Sequence, residues 1–102
     1  MSDEIEFVVA SKAPPTVELN DSGLYVRFKS GVEVARTVVQ SEWPHIAVDL
    51  DANQEVIGIE HVPTPSVFSI GLIPKIIAEA KVQTLAAFDP ADLQIQNLCA
   101  AV

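Results

Sequence analysis

Residues 24–29, "LYVRFK", alternate Leu24, Val26 and Phe28 with Tyr25, Arg27 and Lys29, the two-residue period of a strand. Ser30-Gly31 is a tight-turn dipeptide, and "VEVARTVV" reads as the returning strand. A two-residue loop there sets Phe28 opposite Glu33, Val26 opposite Ala35, Leu24 opposite Thr37 and Tyr25 opposite Arg36. Further on, "HIAVDL" places Ile46, Val48 and Leu50 on one face, and "EVIGIEHV" does the same for Ile57, Ile59 and His61. A turn at Asp51 to Gln54 pairs Leu50 with Glu55, Val48 with Ile57, and Ile46 with Ile59. The two apolar sets then meet in register, which a one-residue slip would undo. In the same register Asp49 faces Val56 and Glu60 faces His45.

Before these hairpins, "IEFVV" at 5–9 predicts a short leading strand that ends at the Pro14-Pro15 stretch. Beyond them, Pro63 and Pro65 end the sheet because proline cannot donate to a strand ladder. Pro74 then predicts a helix start, with Ile76, Ile77, Ala80 and Leu85 as its apolar stripe. "DPADLQIQNLCAAV" predicts a second helix, with Asp89 as cap, Pro90 and Asp92 in its first turn, and Leu93, Ile95 and Leu98 as apolar residues. The expectation is one α+β domain over 1–102. It is an antiparallel β-meander of about four to five strands (1–62) followed by a helical extension (66–102). The two C-terminal helices would pack on one face of the sheet or on a neighbouring subunit.

Composition narrows the possible partners. The 102 residues carry fourteen acidic and six basic side chains, a net charge of −8, which repels phosphate backbones and anionic lipid. Nucleic acid and membrane are therefore not expected as partners. The apolar stretch 66–88 is long enough to span a bilayer, but Lys75, Glu79 and Lys81 are costly there and Pro74 interrupts it. "MSDEIEF" is acidic, the reverse of a secretory leader. The single Cys99 cannot form an internal disulfide and reads as a small hydrophobe, in keeping with a cytoplasmic location.

"DLDANQEVIGIE", 49–60, has Asp49, Asp51, Asn53 and Glu60 at the ligand spacing of a helix–loop–helix calcium loop. The sixth position is Gln54 rather than glycine, and the flanks have a strand period rather than a helical one. In the hairpin register, Asp49 and Glu60 stand roughly 13 Å apart at about 3.3 Å per residue. An Asp/Asn-rich turn is the reading; no metal, cofactor or catalytic residue is expected.

"NDSGLYVRFKSGVEVARTV" with "IAVDLDANQEVIGIEHV" resembles the small, mainly prokaryotic family catalogued as domain of unknown function 2283. The resemblance covers about 17–62 and rests on Leu24, Tyr25, Val26, Gly31, Arg36, Thr37, Val48, Asp49, Asp51, Ile57, Gly58, Ile59 and Glu60. The family commonly has glycine in the last turn, where Asn53-Gln54 stands here, and its members often stop soon after the Glu strand. The resemblance implies a fold and brings no activity.

The candidate ligand-binding residues are Tyr25, Arg27, Arg36, His45 and Glu60. Tyr25, Arg27, Lys29 and Arg36 would share one hairpin face, suited to an anionic small molecule or an acidic segment. The bland alternative is Arg36 stacked on Tyr25 with carboxylates neutralising the rest. His45 and Glu60 could orient an imidazole for base catalysis or form an ordinary cross-strand pair. Trp43 reads as a core residue, with an interface anchor as the alternative. No nucleophile elbow, phosphate loop or dinucleotide fingerprint is present. Val34 and Val38 on one strand face, with Ala35 and Val39 on the other, favour a non-enzymatic domain that self-associates or docks to protein. The alternatives are a small-molecule or metal-binding enzyme using His45, Glu60 and Arg36, and a regulatory, antitoxin-like accessory protein.

Overall fold

The computed structural model describes residues 7–9, 15–19, 22–63, 71–84 and 93–97. Their order is β1 (Phe7–Val9), β2 (Thr16–Leu19), β3 (Leu24–Arg27), β4 (Arg36–Glu42), β5 (His45–Leu50), β6 (Val56–Val62), α1 (Leu72–Glu79), β7 (Val82–Thr84) and β8 (Gln94–Asn97). A six-stranded sheet runs β4-β5-β6-β3-β2-β8, antiparallel except where β8 joins β2 in parallel, and β1 pairs β7 in a separate parallel ribbon. The class is β-rich α+β.

The expected hairpin at Ser30-Gly31 is not formed. β3 lies between β2 and β6, and the chain crosses the end of the β5–β6 hairpin before entering β4 at the far edge. Strands β4, β5 and β6 form a meander, and β3 closes it into a Greek key. The reason lies in the partners each arrangement offers Val26. A Ser-Gly hairpin gives it Ala35; the observed sheet gives it Val17 on one side and Ile59 on the other. Val26 and Val17 are fully buried, and Leu24 nearly so. Gly31 still supplies a left-handed turn (φ 71°), within the crossing segment.

The second hairpin forms as expected in kind, with its register displaced. Val48 faces Ile59 and Ile46 faces His61, two residues from the expected pairs, and Leu50 faces Val56 after a shift next to Asp49. A displacement of two keeps Ile46, Val48 and Ile59 on their own face; at the shift Leu50 meets Val56, expected on the face of Asp49, while Ile57, expected with the aliphatic set, is buried outside its cluster. Strands, not helices, flank residue 51. Within the turn, Gln54 donates its N–H to the Asp51 carbonyl at 2.9 Å. Gln54 takes the left-handed backbone (φ 64°).

Helix α1 covers the aliphatic face of the large sheet. Ile73, Ile76 and Ile77 are buried in one cluster with Val17, Leu24, Val26, Ile46, Val48, Leu50 and Ile59. Pro74 is the third residue of the helix, inside the turn whose N–H groups have no intrahelical acceptor, so its missing donor costs nothing there. Lys81, in the left-handed region (φ 62°), ends the helix and sends the chain into β7. Leu85, expected on the same stripe, lies outside the described residues.

The expected second helix is replaced, over 94–97, by β8. "LQIQN" alternates Leu93 and Ile95 with Gln94 and Gln96, a period that suits the open edge of β2, and Ile95 falls beside Val17. Asp89, Pro90, Asp92, Leu98 and Cys99 lie outside the described residues.

Candidate functional site

One face of the sheet is packed by α1; the other carries a polar chain running across four strands. Its centre is Asp49 on β5. The Tyr25 hydroxyl donates to Asp49 Oδ2 at 2.8 Å, and the Thr37 hydroxyl donates to Oδ1 at 2.7 Å. Tyr25 stands on β3 opposite Glu60, so its ring must cross β6 diagonally to reach Asp49. It crosses at Gly58, where an added Cβ would lie 2.6 Å from the tyrosine oxygen. No other residue leaves that path open.

The chain continues from Tyr25 towards β2. The Arg27 guanidinium sits 4.8 Å from the Tyr25 ring centroid, a cation–π distance, and donates through Nε and Nη2 to the two oxygens of Glu18. Burial, and then the hydrogen bond to Asp49, push the Tyr25 phenol well above its ordinary range. The bond to Glu18 raises Arg27 further still. Both groups are thereby fixed in the forms they hold at neutral pH.

A second cluster closes the hairpin end. Asp51 Oδ1 accepts from the backbone N–H groups of Asn53 (2.8 Å) and Glu55 (3.0 Å). Lys29, arriving from β3, donates to Asp51 Oδ2 at 2.9 Å and also to Glu55. The Lys29 ammonium, with the Glu55 and Asn53 backbone donors, holds the Asp51 carboxyl below its ordinary value. Lys29 is raised in turn, first by Glu55 and then by Asp51. The four carboxylates of the "DLDANQEVIGIE" stretch therefore do not converge on one point: Asp49 goes to hydroxyls, Asp51 to the turn and to Lys29, which it shares with Glu55, and Glu60 to His45. Glu60 is nearer to Asp49 than expected, two residues beyond its partner Gly58 rather than four.

His45 and Glu60 do meet, at 3.1 Å between Nε2 and Oε1, both substantially exposed. They do so diagonally, since His45 pairs with Val62 and Glu60 with Ala47. Arg36 does not join them. It pairs with Leu50, five residues from His45 along β5 and on the opposite face, about 17 Å away at roughly 3.3 Å per residue. Nor does it lie opposite Tyr25; Arg27 takes the stacking place expected of Arg36. A recess of about 210 Å³, lined by Ser22, Gly23, Leu24, Tyr25, Glu60 and Val62, lies beside the His45–Glu60 pair.

Trp43 corrects a further expectation. It sits in the two-residue loop between β4 and β5, 83% exposed. The loop projects past the end of the sheet, so the indole has no core to enter. Compared with protein-family models, curated proteins and solved structures, the chain gives no match. No helix among the described residues is long and apolar enough to cross a membrane.

Proposed function

We propose that this is a non-enzymatic domain that works by associating with protein, a second copy or another chain. The observation that carries the reading is the exposure of Trp43 at the end of β4, whose outer edge has no strand beside it among the described residues. A large aromatic held in water beside a strand edge that no described strand covers is the usual make-up of an interface anchor. Val34 and Val39, about half exposed, add apolar surface along the same edge.

The alternative chemistry has less support. Arg36 is remote from His45 and Glu60, and the hydroxyl of Tyr25 is committed to Asp49. Sedimentation velocity on the full chain at micromolar concentration tests the association reading. The expected result is a species heavier than the 11.0 kDa monomer, unchanged when His45 and Glu60 are replaced together. A monomer at every concentration, or a ligand lost with those two residues, contradicts it.

A further inference from the structure

We propose that the partner is a second copy of this chain, paired antiparallel along β4 about a two-fold axis at Val38. The inference rests on the association reading above and gives it a surface and a register.

Among the described residues, six large apolar side chains are exposed, and four of them, Val32, Val34, Val39 and Trp43, lie on β4 or its immediate flanks. In one copy they form no single patch. Val34 and Trp43 are nine residues apart along an extended chain, about 30 Å at roughly 3.3 Å per residue. Only a strand running the other way brings the two ends together, and among the described strands β4 itself is the one flanked by both ends.

One register brings Val34 to Trp43 without opposing like charges. Pairing with β5 is regular from Arg36 to Val39 and shifts before Ser41, with the Gln40 amide turned back to the Ala80 carbonyl at 3.0 Å. An axis at Gln40 would set the two irregularities against each other, and one at Arg36 would oppose two guanidiniums. An axis at Thr37, with one residue absorbed by the shift, would oppose Glu33 and Glu42. With the axis at Val38, Val38 meets its own copy and Thr37 meets Val39 on the face shared with Asp49 and Ala47. Arg36 then meets Gln40, and past the shift Glu42 meets Ala35 and Val34 reaches Trp43. No like charges are opposed. Such an interface is isologous and closes at two subunits, covering both exposed β4 edges. Ile95 on β8, at the other end of the sheet, takes no part.

Trp43 is the only tryptophan, so its emission reports the interface directly. Wild type, Val39→Lys, Trp43→Ser and Ile95→Lys are compared by sedimentation, with circular dichroism as the folding check. The expected result is a wild-type dimer whose Trp43 emission moves to shorter wavelength as concentration rises. Val39→Lys and Trp43→Ser should weaken dimerisation by about tenfold or more while remaining folded, and Ile95→Lys should leave it unchanged. A dimer that survives Val39→Lys and Trp43→Ser but is lost in Ile95→Lys overturns this surface and keeps self-association. A wild-type monomer throughout overturns the copy as partner, and a heterologous partner abolished by Trp43→Ser would then leave only the broader reading standing.

Discussion

Replacing Gly58 with alanine should cost far more stability than a strand glycine normally does, and the cost should depend on Tyr25. A methyl at Gly58 would lie within 2.6 Å of the tyrosine oxygen and closer still to the ring, so the ring must swing away. That breaks the 2.8 Å bond to Asp49. Loss of a hydrogen bond to a charged acceptor costs about 1.5–3 kcal/mol, and forcing a methyl into a packed contact about 1–3 kcal/mol. Reduced freedom of the unfolded chain returns about 0.4–1 kcal/mol. The net expectation is a loss of about 2–5 kcal/mol for Gly58→Ala. In a Tyr25→Ala background there is no ring to displace, so the same substitution should be close to neutral. Tyr25→Phe, which keeps the ring and removes only the hydroxyl, should fall between. Urea unfolding of the four members of the cycle, followed by circular dichroism, gives the coupling. Equal costs in both backgrounds would refute the crossing of the Tyr25 ring over Gly58.

Two further outcomes follow from the titrating groups. Tyr25 is the only tyrosine, so ultraviolet absorbance reads its ionisation alone; burial and Asp49 raise it, and phenolate should not form reversibly at the ordinary 10.0. Because the folded state disfavours the anion, the stabilisation is complete below pH 10 and is lost as pH climbs, so phenolate should appear together with unfolding. Asp51 is lowered from 3.8, chiefly by Lys29, so its contribution is present above that pH and is lost on acidification through the depressed value. Asp51→Asn should lower the urea midpoint at neutral pH and flatten its decline below pH 4; an unchanged acid limb would contradict the Lys29–Asp51 contact.

How far the sequence discloses this depends on whether an interaction is local. The β5–β6 hairpin was legible because Ile46, Val48, Leu50 and Ile59 alternate and share a face. Its register was not, because the turn is set by Asp51 binding two backbone N–H groups and by the shift next to Asp49. The Ser30-Gly31 hairpin misled because a turn dipeptide between alternating segments carries no information about a competing, better-matched strand far along the chain. Val26 chose Ile59 over Ala35. The short "LQIQN" segment supports either period, and only the open edge of β2 decides. For the polar chain, the sequence gives no reason for Tyr25, Thr37, Asp49 and Gly58 to keep company. The reason is tertiary: a ring, a gap in the β-carbons and a carboxylate on three neighbouring strands. Arg36 is parted from Tyr25 because its hairpin does not form, and an aromatic beside proline, such as Trp43, gives no sign of which side of a loop it will face.

The most direct test of the functional account is amide hydrogen exchange along β4 as a function of protein concentration. The alternate β4 amides that face away from β5 should exchange quickly in dilute solution and slow markedly once the chain is concentrated, while those bonded to β5 stay protected throughout. Rates for the outward amides that do not change with concentration would contradict the claim that a second copy covers this edge.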